Sequence, residues 1–247
     1  MKNISVCKIL GVNIAAINME FLINYIKTNI RNLSGKYICV SNVHTTVMAF
    51  ENEDYKKVQN SAILAIPDGG PLSTEGRRRG FKTMSRTTGP DFMNEILMIS
   101  KENNYKHFFY GSTEETLNKM KSKLLNEYPD LDIVGMYSPP FRKLTVDEDE
   151  NIIKMINDSK TDFVWVALGA PKQEVWMYDH RDKIKALMVG VGAAFDFVAG
   201  NIKRAPEWMQ KLNLEWLYRL LQEPKRLFKR YFITNTKFIW YAVIRGR

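Results

Sequence analysis

Phe163-Val164-Trp165-Val166-Ala167-Leu168-Gly169-Ala170-Pro171-Lys172-Gln173-Glu174 decides the fold. An apolar, β-branched and aromatic run of strand length stops at a turn of small residues, and a polar segment follows. The same unit recurs at Tyr37–Val40, Ala62–Ile66, His107–Tyr110, Asp132–Gly135 and Leu187–Val191. Segments with helical spacing lie between these runs. In Phe92–Lys101, residues Phe92, Ile96 and Ile99 share one face, and Glu114–Asn126 and Glu148–Ser159 behave similarly. Alternating strands and helices predict an α/β domain, a mainly parallel sheet flanked by helices. Ligands of such sheets sit beyond the C-terminal ends of the strands, so the loops after each run are the ones to read.

Those loops are rich in small and polar residues. They are Ser41-Asn42-Val43-His44-Thr45-Thr46, Pro67-Asp68-Gly69-Gly70, Tyr110-Gly111-Ser112-Thr113, Gly169 to Glu174, and Gly190-Val191-Gly192-Ala193-Ala194-Phe195-Asp196-Phe197. Asp68 stands out, because a carboxylate between Pro67 and Gly69-Gly70 at a strand end has the fixed position a general base needs. An Asx-turn residue that only shapes the loop would look the same. Asp196 poses the same choice. Thr88-Gly89-Pro90-Asp91 and Ser112-Thr113-Glu114-Glu115 read as helix starts, whose free N–H groups can bind phosphate, with Arg86 close by in sequence.

The 247 residues carry 36 Lys+Arg and 27 Asp+Glu, a net charge of +9, with 45% hydrophobic residues. These are the values of a globular chain, not of a disordered one. Cys7 and Cys39 cannot build a disulfide framework, which points to a reducing compartment. No signal-peptide pattern opens the sequence and no run is long enough to span a bilayer, so a cytosolic location is expected. The charge is uneven: eleven Lys/Arg face three Asp/Glu in residues 201–247. Helical starts are expected at Pro206 and Pro224. The last helix, Lys225 to about Val243, interleaves Lys225, Arg226, Lys229, Arg230 and Lys237 with Leu227, Phe228, Tyr231, Phe232, Phe238 and Trp240. That composition suits a helix lying on an anionic membrane surface. RNA binding would use the same ingredients, but no RNA-binding motif accompanies them.

Several chemistries are discounted. There is no P-loop string. Gly190-Val191-Gly192-Ala193-Ala194-Phe195 ends in Phe where a dinucleotide fingerprint needs Gly or Ala, so it reads as a close turn. His44, His107 and His180 show no metal-ligand spacing. Asp130-Leu131-Asp132 precedes a strand, and Asp147-Glu148-Asp149 falls at a helix start, so both Asp-x-Asp strings read as structural. A reaction without metal or cofactor is expected.

The ordered set Pro67-Asp68-Gly69, Thr88-Gly89-Pro90-Asp91-Phe92, Gly169 to Glu174, Gly190 to Gly200, Lys203-Arg204-Ala205-Pro206, Leu214 to Leu220, Glu223-Pro224-Lys225-Arg226 and Arg230-Tyr231 is far more specific than any one member. Together these resemble the WecG/TagA/CpsF family of bacterial glycosyltransferases, glycosyltransferase family 26, from about Ile38 to Tyr231. The resemblance implies a Rossmann-like body, residues 1–200, and a basic, aromatic-rich helical appendage, residues 201–247, that closes the site and meets the membrane. It implies inverting, metal-independent transfer from a UDP-sugar to a polyprenyl-diphosphate-linked saccharide on the inner face of the cell membrane. Asp68 matches the family's general base, and Asn42, Gln173 and Arg86 match its polar and basic site residues. Arg219 and Arg226 match arginines that contact a diphosphate, with Lys229 at the place of a third. The teichoic acid members carry Thr where this chain has Val40, and the stretch after Asn42 looks more like the exopolysaccharide members.

N-acetylmannosamine or a related hexose is therefore the expected donor sugar, in teichoic acid, capsule or exopolysaccharide synthesis. Two other classes compete: a non-catalytic nucleotide-binding scaffold of a polysaccharide assembly complex, and an RNA-binding protein. Polar residues gathered at strand ends favour the enzyme, and no nucleic acid partner is expected. Self-association into a homo-oligomer would be one way to hide the aromatic tail in solution.

Overall fold

The computed structural model describes residues 4–246, so Arg247 of the expected appendage lies outside them. Eight strands form one sheet: β1 (Val6–Ile9), β2 (Val12–Ala15), β3 (Tyr37–Ser41), β4 (Leu64–Pro67), β5 (Lys106–Gly111), β6 (Asp132–Tyr137), β7 (Phe163–Ala167) and β8 (Leu187–Gly190). Their order is β1-β2-β4-β3-β8-β7-β5-β6. All neighbours pair in parallel except β1 with β2. The six expected runs are all strands, within two residues at their ends.

The β1–β2 hairpin is the element that strand length concealed. Each strand has four residues, and the turn uses Leu10 and Gly11, both at positive φ. Val6 and Lys8 face solvent while Cys7 and Ile9 are buried. The two cysteines are free thiols in the core.

Among the described residues, thirteen α-helices connect and extend the sheet. In the first 200 residues they are α1 (Met19–Asn29), α2 (Val43–Glu51), α3 (Glu53–Ser61), α4 (Gly70–Arg78), α5 (Gly89–Met98), α6 (Ser100–Asn103), α7 (Glu114–Glu127), α8 (Val146–Asp158), α9 (Lys172–His180) and α10 (Ala194–Ala199). Strand residues alternate between two cores, as period-two geometry requires. Ile38, Val40, Phe109 and Trp165 pack with Phe92 and Ile96 of α5, Leu117 of α7 and Phe195 of α10. Tyr37, Cys39, Phe108, Val164 and Met188 pack with Val47 of α2, Tyr55 of α3, Ile152 of α8 and Met177 of α9.

The chain then turns wholly helical: α11 (Glu207–Lys211), α12 (Glu215–Gln222) and α13 (Pro224–Phe238), which runs into a wider π-helical turn at Ile239–Ile244. Pro224 opens α13 as expected. Pro206 does not open a helix: its ψ of 149° is extended, and it caps α11 from outside. The tail aromatics divide between two roles. Leu227, Phe238 and Ala242 are buried, the Tyr241 ring packs at a tilt against Phe50 of α2 with centroids 4.9 Å apart, and Arg79 donates to the Ala242 carbonyl. Phe228, Phe232, Ile239 and Trp240 stay exposed. Among the described residues no helix is long and apolar enough to cross a membrane.

Candidate active site

The loops after β3, β4, β7 and β8 lie at the C-terminal ends of four adjacent parallel strands. The β4 loop holds Asp68 rigidly. The Asp68 N–H donates to the Ser41 carbonyl at 2.7 Å, and the Thr87 N–H donates to the Pro67 carbonyl at 2.8 Å. Gly69 adopts φ +90°, a conformation that L side chains rarely adopt, and so releases the chain into α4.

Asn42 caps α2. Its Oδ1 accepts from the Thr45 N–H at 3.2 Å, while Thr45 Oγ1 accepts from the Asn42 N–H at 2.9 Å. The Asn42 side chain also hydrogen-bonds the Asp68 carboxylate. Burial raises the Asp68 pKa to about 6, against the opposing pull of Arg86; Glu215 and Asp91 add to the rise and the Asn42 hydrogen bond offsets it. A carboxylate with that pKa is a base at neutral pH and a better proton acceptor than an ordinary aspartate.

Arg86 pairs with Glu215 of α12. Glu215 also meets Arg204 Nε at 3.4 Å, and Arg204 binds Asp91 of α5 at 2.7 Å. The helical start expected at Thr88 is real: Thr88 caps α5 and also donates to Asp91 at 2.6 Å. Glu215 and Arg204 thus clamp the helical tail to the body beside Asp68.

The tail brings further cations. Arg219 lies over the Phe197 ring at 5.3 Å and meets Glu223 at 3.3 Å, and its Nε is buried without a hydrogen-bond partner. Arg226 shares Glu223 at 2.6 Å. Lys229 is exposed on α13. Arg230, expected only as one of the basic residues of a membrane-facing helix and as part of a family motif, is half-buried with a partnerless Nε. It faces His44, whose pKa is lowered to about 4 by burial and then by this guanidinium. Arg226 and Arg230 are four residues apart on one helix face, a spacing that was available as a signal.

Gln173 and Glu174 form a buried polar layer under the β7 and β8 loops. Gln173 is 4% exposed and its Nε2 donates to Glu174 Oε1 at 2.8 Å. Near the Glu174 carboxylate, whose Oε2 is buried without a partner, the Tyr55 hydroxyl accepts from Gln59 at 2.9 Å; Gln59 in turn accepts from Ser41 at 2.6 Å. Burial raises the Glu174 pKa. Gly190 makes room for this layer, since a Cβ there would stand 3.0 Å from Gln173 Nε2. Gln173 Oε1 is left buried and unpartnered, near Gly192.

Asp196 is placed differently. It lies in α10 and accepts from Asn201 at 3.2 Å, so its carboxylate ties down the turn that follows. His107 is structural: Trp165 donates to its Nδ1 at 3.0 Å, Ser100 meets Nε2 at 2.7 Å, and burial lowers its pKa to about 3. Asp130 pairs with Lys101 and Asp149 with His180. Among the described residues no three His, Cys, Asp or Glu gather as metal ligands.

The structure therefore brings Asn42, Asp68 and Arg86 together, places Gln173 beneath the neighbouring loops, and sets Arg219 and Arg226 on one shared carboxylate. Comparison with known proteins matches residues 7–247 to the glycosyl transferase WecG/TagA/CpsF family. A Bacillus subtilis (strain 168) protein named N-acetylglucosaminyldiphosphoundecaprenol N-acetyl-beta-D-mannosaminyltransferase is 34% identical over 85% of this chain and 80% of its own. A Staphylococcus aureus (strain MW2) protein of the same name is 31% identical over 89% of this chain and 85% of its own.

Proposed function

We propose, given that this chain belongs to the glycosyl transferase WecG/TagA/CpsF family and is a hexosyltransferase, that it moves N-acetylmannosamine or a related hexose from a UDP-sugar onto a polyprenyl-diphosphate-linked N-acetylglucosamine. The pathway is cell-surface polysaccharide synthesis, teichoic acid first. The relatives' names supply the sugars, and the half-buried Asp68 carboxylate, with its raised pKa, beside Asn42 and Arg86 is the observation that carries the reading.

In this mechanism the acceptor hydroxyl oxygen attacks the anomeric carbon as the bond to the UDP oxygen breaks, inverting the centre. Asp68 takes the hydroxyl proton. Negative charge grows on the departing diphosphate, where fixed cations stabilise the transition state most. Arg86, Arg219, Arg226 and Arg230 are the cations of choice, and they fill the role that a divalent metal fills elsewhere. Gln173 Oε1, buried and unpartnered, is an acceptor for a ligand N–H or O–H.

Residues 201–247 act as an appendage that completes the site and docks on the membrane face. Exposed Phe228, Phe232, Ile239 and Trp240, among lysines and arginines, support that docking. The test is UDP release from a panel of UDP-sugars with a short-chain polyprenyl-diphosphate-N-acetylglucosamine acceptor and EDTA present. Release with one donor, dependent on acceptor and lost in Asp68→Asn, is the expected result. UDP-induced thermal stabilisation without turnover would instead favour a scaffold.

A further inference from the structure

A second cationic cleft lies beside the site just described. It is about 530 Å³ and opens between α4 and α11, within the roughly 300–1,000 Å³ of small-molecule sites. Arg77, Ser85, Arg86, Lys211 and Asn213 line it, together with one carboxylate, Glu207.

Its cations are available. Arg77 donates to two neutral oxygens, the Met84 carbonyl at 3.0 Å and Thr74 Oγ1 at 3.1 Å, and has no carboxylate partner among the described residues. A guanidinium has five N–H donors, so donors remain for a ligand. Lys211 meets only Glu207, at 3.6 Å with both side chains solvent-exposed, a pair that a stronger anion displaces. Arg86 joins the cleft to the catalytic loop, because its charge also acts on Asp68.

An exposed apolar surface lies beside the cleft. Glu207 and Lys211 stand on its wall, and about 100° round the same short helix lie Trp208 and Leu212, 60% and 63% exposed. A ligand seated here would have its anionic part on Arg77 and Lys211, an apolar part beside Trp208 and Leu212, and its far end toward Arg86 and Asp68.

We propose that the cleft between α4 and α11 is the subsite for the diphosphate of a lipid-linked saccharide acceptor. The proposal rests on the transferase reading above. It separates the two diphosphates of the reaction: the donor's on the arginines of α12 and α13, the acceptor's on Arg77 and Lys211. The saccharide then points past Arg86, with its hydroxyl presented to Asp68.

The test is equilibrium binding of farnesyl-diphosphate-linked N-acetylglucosamine to the full chain without donor, compared with binding of UDP. Arg77→Ala and Lys211→Glu are expected to weaken the farnesyl probe at least tenfold and to leave UDP affinity within twofold. Glu207→Gln is expected to tighten the probe severalfold, a gain that a merely structural role would not produce. Inorganic pyrophosphate should displace the probe, and dihexanoylphosphatidylglycerol below its micelle concentration should not. Unchanged probe affinity in the variants, an equal loss of UDP affinity, or displacement by the phospholipid would each overturn the proposal. If Arg77→Ala fails to fold, Lys211→Glu and Glu207→Gln carry the test, since both positions are exposed. Turnover of acceptor by wild type with an unaltered KM in Lys211→Glu would break the cleft and keep the transferase. Probe binding that depends on the cleft, with no turnover for any donor, would do the reverse.

Discussion

Every residue of β3 is buried, whereas α12 buries none. The sheet is held as a protein interior is held, by dense apolar contact on both faces. The helices after Gly200 are held by a few anchors, Leu227, Phe238 and Ala242, and by charge pairs, Arg86–Glu215 and Arg204–Asp91 among them. The proposed base Asp68 belongs to the first kind of structure, and Arg219, Arg226 and Arg230, proposed to meet the diphosphate, belong to the second. A rigid base and a loosely tethered set of cations suit a reaction whose lipid-borne substrate must be admitted before the site is complete.

The sharpest way to break this contrast is at Asp68. Asp68→Asn should lower transfer about a thousandfold, the scale of a lost general base, while circular dichroism stays unchanged. A fall of less than tenfold would move the base elsewhere. Next comes packing. Gly190→Ala places a Cβ 2.8 Å from Met177 Cε, and overpacking of a tight core costs about 1–3 kcal/mol. Leu221→Ser on exposed α12 should cost under about 0.5 kcal/mol. Equal losses in denaturant melts would mean that the tail is as tightly built as the sheet. Third, the double variant Phe228→Ser with Phe232→Ser should cut transfer to vesicle-borne acceptor about tenfold and leave a soluble short-chain acceptor unaffected.

The smallest effect is in pH. Asp68 has a folded pKa of about 6 against 3.8 unfolded. A raised carboxylate pKa favours the folded state at low pH, and that advantage is lost as pH rises through 6. Asp68→Asn should therefore gain a few degrees in Tm relative to wild type at pH 7.5, with the gap closing below about pH 4. The same titration should give the wild-type rate an ascending limb near pH 6.

Most of the sheet was legible because parallel strands are short apolar runs ended by turn residues. The β1–β2 hairpin was not, since four-residue strands joined by Leu10-Gly11 lack the usual hairpin signal. Pro206 misled for a local reason: a proline fixes φ but leaves ψ free, and here ψ stays extended. In the site, Asp68 could be read because it follows its strand directly, and Asn42 and Gln173 through the family resemblance. Glu215, Arg204 and His44 could not, because their meaning lies in partners far along the chain, whereas Arg230 had its spacing from Arg226 as a signal. Arg86 with Glu215 is separated by 129 residues, and no spacing rule spans such a gap. Glu174 was quoted only within a motif, and its buried place near Tyr55 and Gln59 needed the packing of α3 under α9.

The Arg86–Glu215 pair has a consequence for how anions enter. Before any substrate arrives, Glu215 already neutralises Arg86 and shares Arg204, and Glu223 does the same for Arg219 and Arg226. A phosphate that binds there replaces a carboxylate instead of stripping small ions from bare guanidinium groups. Binding becomes an internal ion exchange. Little salt is released to solution, so affinity for a nucleotide diphosphate should respond only weakly to ionic strength.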